Sequence, residues 1–289
     1  MSHAMLSELV PRQTTDGQLI DMWLHGHPET TQRAYRGDVA LFLCSVARPL
    51  PFVTLQDLQG YADSLAGKDS TKARRLASIK SLLSFGHRTG YLQFDVGGAL
   101  RLPTVRCRLA ERILPEADVL RMVSMEPDIR SKVLLMLLYG TGIRVSELCG
   151  LRWRDVQAAG TSGQVTVFGK GGKTRSIRVP EAAWAALGAL PHEVPDAPVF
   201  VSRKGGPLVE RGVRWVVSKA AKRAGIKSHV SPHWFRHAHA SHALDRNAPI
   251  HLVQQTLGHA NINTTGRYLH ARPGESSGKY LPQMEITSP

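Results

Sequence analysis

Cysteine is scarce in this chain of 289 residues, which has Cys44, Cys107 and Cys149 and no others. Their odd number and wide spacing exclude a disulfide framework and a cysteine-based zinc site, and fit packing residues in a reducing compartment. No apolar run approaches the roughly 20 residues of a membrane span. The opening stretch, MSHAMLSELVPRQTTDG, lacks the charged start and long apolar centre of a signal peptide. A soluble, cytoplasmic protein is therefore expected. Internal repeats and low-complexity tracts are also missing, which sets aside solenoids and arrays. Acidic residues are few beside the basic ones: 23 Asp and Glu face 37 Lys and Arg, a formal net charge of +14. Such a surplus favours a polyanionic partner, nucleic acid ahead of an acidic membrane surface or a merely basic enzyme.

What is present is enough to fold: 42% of the residues are hydrophobic, sufficient for the cores of two modest domains. In TTQRAYRGDVALFLCSVA, residues Tyr35, Val39, Phe42, Leu43 and Val46 fall on one helical face, with a threonine as the expected cap. TLQDLQGYADSL repeats the device, with Thr54 as cap and Asp57 in the first turn, where the helix dipole favours an anion. STKARRLASIKSLLSFGHRTG then gives a helix apolar at Leu76, Ile79, Leu82 and Leu83 and basic at Lys72, Arg74, Arg75, Lys80 and Arg88. Residues 1–96 thus read as a helical domain, and its basic helix is expected to meet a phosphate backbone. Residues 97–112, GGALRLPTVRCRLAER, read as a basic linker, solvated or lying along phosphates.

From 113 to 289 a second domain is expected, mainly α with a small antiparallel sheet. Pro115 suits a first helical turn. Val133 to Tyr139 is apolar on nearly every side and predicts a buried central helix. QVTVFGKGGKTRSIRVP reads as a hairpin about GKGGK, and helices return at VERGVRWVVSKAAKRAG, SPHWFRHAHASHAL, PIHLVQQTLGH and INTTGRYLH.

Candidate chemistry gathers in this second part. Arg144 in TGIRVSEL follows a Thr-Gly turn after the buried helix, where a guanidinium would sit at the edge of a core. On a helix His233, Arg236 and His237 share one broad face, while His239 and His242 point elsewhere. His233 and His237 have i, i+4 metal spacing, but the glutamate of an H-E-x-x-H motif is missing. The rival reading makes His233 a proton carrier beside an arginine anion clamp, which suits a phosphate.

Arg144 in TGIRVSEL, Lys170 in FGKGGK, His233 and Arg236 in SPHWFRH, His259 in LGH and Tyr268 in TTGRY together resemble the tyrosine recombinase (phage integrase) family, with its Xer-like members nearest. The order of these residues matches the family's, and the likeness runs from about Gln18 to Arg272. The resemblance implies an N-terminal core-binding, SAM-like domain followed by an α+β catalytic domain. It also implies a site-specific recombinase that cuts and rejoins DNA through a covalent 3′-phosphotyrosine, without ATP, cofactor or resident metal. Arg144 and Arg236 would stabilise charge on the scissile phosphate. Tyr268 would attack, His233 would be the base, His259 would donate a hydrogen bond to the phosphate, and Lys170 would protonate the departing 5′ oxygen. Lys173 is the rival lysine, and Glu147 either orients the site or is simply solvated.

The family also implies double-stranded DNA as partner and a tetramer on it, with a partner recombinase as an option. Two departures stand out. DVGG replaces the family's Asn-Pro in the connector, and Pro273 with Gly274 breaks the final helix early, where Xer-like relatives use a C-terminal helix to reach a neighbouring subunit. Two other functions stay open: type IB topoisomerase-like strand relaxation, and a regulator that binds DNA without cutting it.

Overall fold

The computed structural model describes residues 15–105, 109–169, 174–191 and 194–269. Lys170, Lys173 and the tail from residue 270 lie outside them. The chain divides into two compact units, Met1–Arg106 and Cys107–Pro289.

The first unit is helical: α1 (Asp16–Leu24), α2 (Glu29–Val46), α3 (Leu55–Ser64), α4 (Asp69–Arg88) and a short α5 (Val96–Ala99). Its core is built from the faces anticipated by periodicity, with Leu19, Phe42, Leu58, Ile79, Leu82 and Leu83 wholly buried. The Thr54 cap is a reciprocal box: its hydroxyl accepts from the Asp57 amide at 3.2 Å while Asp57 accepts from the Thr54 amide at 2.9 Å. The α2 start differs from expectation. Pro28 precedes the helix and both threonines fall inside its first turn, without a side-chain cap.

Helix α4 buries the apolar face that its sequence predicts, and part of its basic face has partners within the unit. Arg74 forms a fork with Asp38, which is 3% exposed, Arg75 lies 3.7 Å from the same carboxylate, and Ser78 donates to it at 3.2 Å. Lys80 donates to the Gly98 and Leu100 carbonyls at 3.1 and 3.0 Å. Three of the basic residues expected to reach DNA are therefore engaged inside the unit. The same bonds hold Gly97 to Leu100, which read from sequence as connector, as the closing turn of the first core.

The second unit comprises α6 (Glu116–Ser124), α7 (Ile129–Thr141), α8 (Val145–Gly150), β1 (Val156–Ala159), β2 (Ser162–Phe168), β3 (Thr174–Val179), α9 (Glu181–Gly188), α10 (Glu210–Arg223), α11 (Pro232–Asp245), α12 (Ile250–Leu257) and α13 (Ile262–Gly266). The sheet is antiparallel in the order β1-β2-β3, with Val165 opposite Val156 on one side and Ile177 on the other. The hairpin from β2 to β3 is as anticipated, and β1 extends it. Helix α7 is the centre: Val133, Leu134, Leu135, Leu137 and Leu138 are all buried, and α11, α9, α6 and β3 pack around it. No helix among the described residues is long and apolar enough to cross a membrane.

Candidate active site

The site is assembled by two helix ends. Helix α7 stops at Gly142, whose φ of 59° is the left-handed conformation that glycine adopts freely. A Cβ there would stand 2.7 Å from Leu257 and 2.8 Å from His239. This sharp stop is what sets Arg144, two residues later, at the N-terminus of α8. Helix α12 stops in the same way at Gly258, with φ 65°.

A helix leaves its last carbonyls without intrahelical partners and carries partial negative charge at that end, so cations are favoured there. Here three successive carbonyls at the end of α12 each accept from a different arginine. Thr256 accepts from Arg175 Nε at 2.8 Å, Leu257 from Arg236 Nη2 at 2.5 Å, and Gly258 from Arg144 Nη2 at 2.9 Å. The other glycine stop takes part as well, its carbonyl accepting from Arg236 Nη1 at 2.6 Å. Each left-handed glycine therefore holds one arginine of the TGIR and HWFR segments.

One carboxylate serves two of the three arginines. Glu147, its side chain 3% exposed, accepts from Arg175 Nη1 and Nη2 at 2.8 Å each, from Arg144 Nη1 at 2.8 Å and from the Arg144 amide at 2.9 Å. Burial works to raise the Glu147 pKa, but the Arg175 and Arg144 bonds prevail and hold it at about 2. Arg236 has no such partner. It is 6% exposed, and among the described residues no carboxylate lies within ion-pair distance of it. Burial and the neighbouring Arg144 charge depress its pKa to about 10. A buried guanidinium bonded only to neutral carbonyls is costly, and an arriving anion would relieve that cost.

Imidazoles ring this cationic centre. His259 follows the α12 stop, and its Nδ1 lies 2.9 Å from the Thr265 hydroxyl. Partial burial and then Arg236, Arg144 and Arg175 push its pKa down to about 4. His233, in the first turn of α11, is exposed by area and makes no hydrogen bond among the described residues. Crowding by neighbouring atoms and the Arg236 charge lower its pKa. His239 and His242 do point elsewhere, as the helical wheel predicts. His239 Nδ1 donates to the Tyr139 carbonyl at 2.7 Å, and His242 Nδ1 lies 3.0 Å from the Tyr139 hydroxyl.

Tyr268 follows α13 and is 6% exposed, its ring packed in a small cluster with Ala240, Val253, Leu257 and Leu109. Its hydroxyl lies 2.8 Å from His237 Nδ1. Burial raises the phenol pKa against the opposing influence of Arg236 and Arg267, so at neutral pH it carries its proton.

The same ground is covered by a family match: residues 112–275 fit the model of the phage integrase family. The chain belongs to that family. The tyrosine recombinase XerC of Xanthomonas campestris pv. campestris (strain B100) is 38% identical over 204 residues, which are 68% of this chain and 62% of that protein. The tyrosine recombinase XerC of Xylella fastidiosa (strain 9a5c) is 35% identical over 254 residues, 83% of this chain and 85% of that one. The chain thus spans less than two thirds of the first relative's length and most of the second's. In fold it is similar to a lambda integrase dimer bound to a COC′ core site, with a TM-score of 0.70 at 18% identity over 95% of this chain and 81% of that one. It is also similar to XerH recombinase bound to difH substrate, with a TM-score of 0.66 at 18% identity over 88% and 80%.

Of the residues that sequence put forward, this integrase-family chain brings Arg144, Arg236, His233, His259 and Tyr268 into one neighbourhood, while Lys170 falls outside the described residues. Two members of the neighbourhood were not anticipated. Arg175 shares the inward face of β3 with the buried Ile177 and Val179, and an arginine at that alternation requires an anion. His237 stood on the right face of α11 but was weighed only as a metal ligand beside His233. Its contact with Tyr268, 31 positions away, has no local signal.

Proposed function

We propose that this chain is a site-specific DNA recombinase that cuts and rejoins strands through a covalent 3′-phosphotyrosine. What carries the reading is the buried Arg236, without a carboxylate partner among the described residues, next to Arg144 in the same neighbourhood as a protonated tyrosine. Two fixed guanidiniums suit the non-bridging oxygens of a phosphodiester, whose charge grows as a nucleophile adds. His259 and His233 flank them as hydrogen-bond donors to the same phosphate, Tyr268 is the nucleophile, and Lys170, which lies in sequence between β2 and β3, protonates the leaving 5′ oxygen. The first unit is the core-binding domain and the second the catalytic domain. Double-stranded DNA in the cytoplasm is the substrate, and exchange between two duplexes requires a tetramer.

The test is covalent trapping. Nicked duplexes of random sequence, whose cut end is lost by diffusion, are incubated with wild type and with Tyr268→Phe, and denaturant-resistant protein-DNA adducts are recovered and sequenced. Wild type is expected to trap DNA by its 3′ phosphate, leaving a free 5′ hydroxyl, and Tyr268→Phe to trap none. Absence of a wild-type adduct would sink the recombinase reading. With the recovered site, joining between two duplexes supports recombination, and relaxation of a single supercoiled circle without joining favours the topoisomerase-like alternative.

A further inference from the structure

We propose that His237 accepts the proton of Tyr268 as the tyrosine attacks phosphorus, so that the base for the nucleophile is the imidazole one residue beyond Arg236 and not His233. The inference rests on the recombinase reading and adds a catalytic residue to it. Geometry comes first. His237 Nδ1 is 2.8 Å from the Tyr268 hydroxyl, and the two rings sit 5.8 Å apart at 48°. Among the described residues this imidazole is the hydrogen-bond partner of that hydroxyl. His233, one turn earlier on α11, touches no described residue by a hydrogen bond and is exposed, which leaves it free for the ligand. Adjacent residues of α11 thus address the two reacting atoms: Arg236 the phosphate and His237 the nucleophile.

Protonation is consistent with this division. The cations around His237 are His233, when charged, Arg112, Arg236 and Arg267. With burial as the larger cause, they hold its pKa at about 4. At neutral pH the ring is therefore uncharged, and with the proton on Nε2 its Nδ1 lone pair receives the phenol hydrogen bond. A ring so poor in basicity is a weak base while the site is empty. A phosphate arriving among the guanidiniums offsets the charges that depress it, so the base strengthens when substrate is in place.

The step balances. The Tyr268 oxygen forms a bond to phosphorus as its proton passes to His237 Nδ1, and the bond from phosphorus to the 5′ oxygen breaks. The departing oxygen keeps the electron pair and takes a proton from the acid, Lys170 in this reading. On rejoining, an incoming 5′ hydroxyl returns its proton to that lysine, and His237 gives the phenol its proton back.

Single-turnover cleavage of the nicked duplex trapped by wild type tests this, using wild type, His237→Ala and His237→Gln, with duplex binding measured alongside. Both variants are expected to bind the duplex as wild type does and to cleave it on the order of 10²–10⁴-fold more slowly at neutral pH. Their rate should rise about tenfold per pH unit as hydroxide replaces the base, where wild type stays level. A duplex with a sulfur in place of the bridging 5′ oxygen needs no acid, so it should rescue Lys170→Ala and leave His237→Ala slow. Cleavage by His237→Ala at the wild-type rate or faster, or its rescue by the sulfur duplex, would overturn the assignment while the recombinase reading stands. Failure of wild type to form an adduct overturns both. Nitrogen NMR of the imidazoles in the free wild type gives a reading independent of the variants' folding. An unprotonated His237 Nδ1 that shifts in Tyr268→Phe is expected, and a protonated Nδ1 overturns the proposal.

Discussion

Asp38 in the N-terminal unit and Glu147 in the second are alike on paper: each is a buried carboxylate holding two arginines. Asp38 gathers Arg74 and Arg75 from α4, with Ser78 completing its bonds. Glu147 gathers Arg144 and Arg175, but a third guanidinium, Arg236, lies buried beside them with only carbonyl partners among the described residues. The first arrangement ties α2 to α4. The second leaves a surplus of fixed positive charge facing a tyrosine, which is useful only to an anion. Basic residues in the sequence look the same in both places, and what separates them is whether the fold supplies a negative partner.

The sharpest way to break this comparison is Arg236→Met. Because it removes a buried charge that has no carboxylate among the described residues, thermal stability should be unchanged or slightly higher, while cleavage of the trapped duplex falls by on the order of 10²–10³-fold or more. Melting temperature and single-turnover rate, measured on the same preparation, decide it. A large loss of stability would mean that the two carbonyl contacts hold the fold, and the contrast with Asp38 would collapse.

Glu147→Gln should act next most strongly. Arg144 and Arg175 lose the anion that fixes their positions, and misplaced guanidiniums cost on the order of a hundredfold in cleavage. The sign of the pH dependence follows from the carboxyl's depressed pKa, about 2 in the folded protein against 4.5 for the free group. The stabilisation it contributes is complete above 4.5 and disappears as pH falls from there toward 2. Melting curves taken at decreasing pH should therefore show wild type losing its advantage over Glu147→Gln in that window. A constant difference down to the lower limit would show that the carboxylate is not what couples the site to pH.

Gly258→Ala probes the helix stop itself. Alanine at φ 65° is strained, and its Cβ would meet the Arg175 guanidinium at about 3.0 Å. A loss of about 1–2 kcal/mol in unfolding free energy is expected, read by denaturant titration. Cleavage should weaken as well, since the Gly258 carbonyl holds Arg144.

How much of this was legible depends on the span of each interaction. Helix α7 was readable because an all-apolar run buries itself whatever surrounds it, and the Thr54 cap because it adjoins the helix it starts, though its reciprocal bond with Asp57 was not read. The site residues were readable as a set only through their likeness to a family, since no local pattern announces that a tyrosine at 268 faces a histidine at 237. His237 was weighed only as a metal ligand for that reason, whereas Arg175 carried a local signal, its place in the β3 alternation, that went unused. The basic face of α4 was legible only as charge: Asp38 lies 36 positions before Arg74, and a charge pattern cannot reveal a neutralising partner at that distance.

The smallest expected effect completes the contrast. In Asp38→Asn the two arginines keep a polar neighbour but lose its charge. Breaking a buried pair costs about 3–5 kcal/mol when both partners are enclosed, but the Arg74 side chain is 46% exposed and water recovers much of that, so about 1–2 kcal/mol is expected. Denaturant unfolding of the full chain measures it. Cleavage per bound duplex should not change, because Asp38 belongs to the N-terminal unit and every residue assigned to the chemistry lies in the other. If Arg74 and Arg75, released from Asp38, strengthened duplex binding with a steeper salt dependence, the carboxylate would be withholding DNA-binding charge as well as stapling two helices. Unchanged binding at every salt concentration would make it a staple alone.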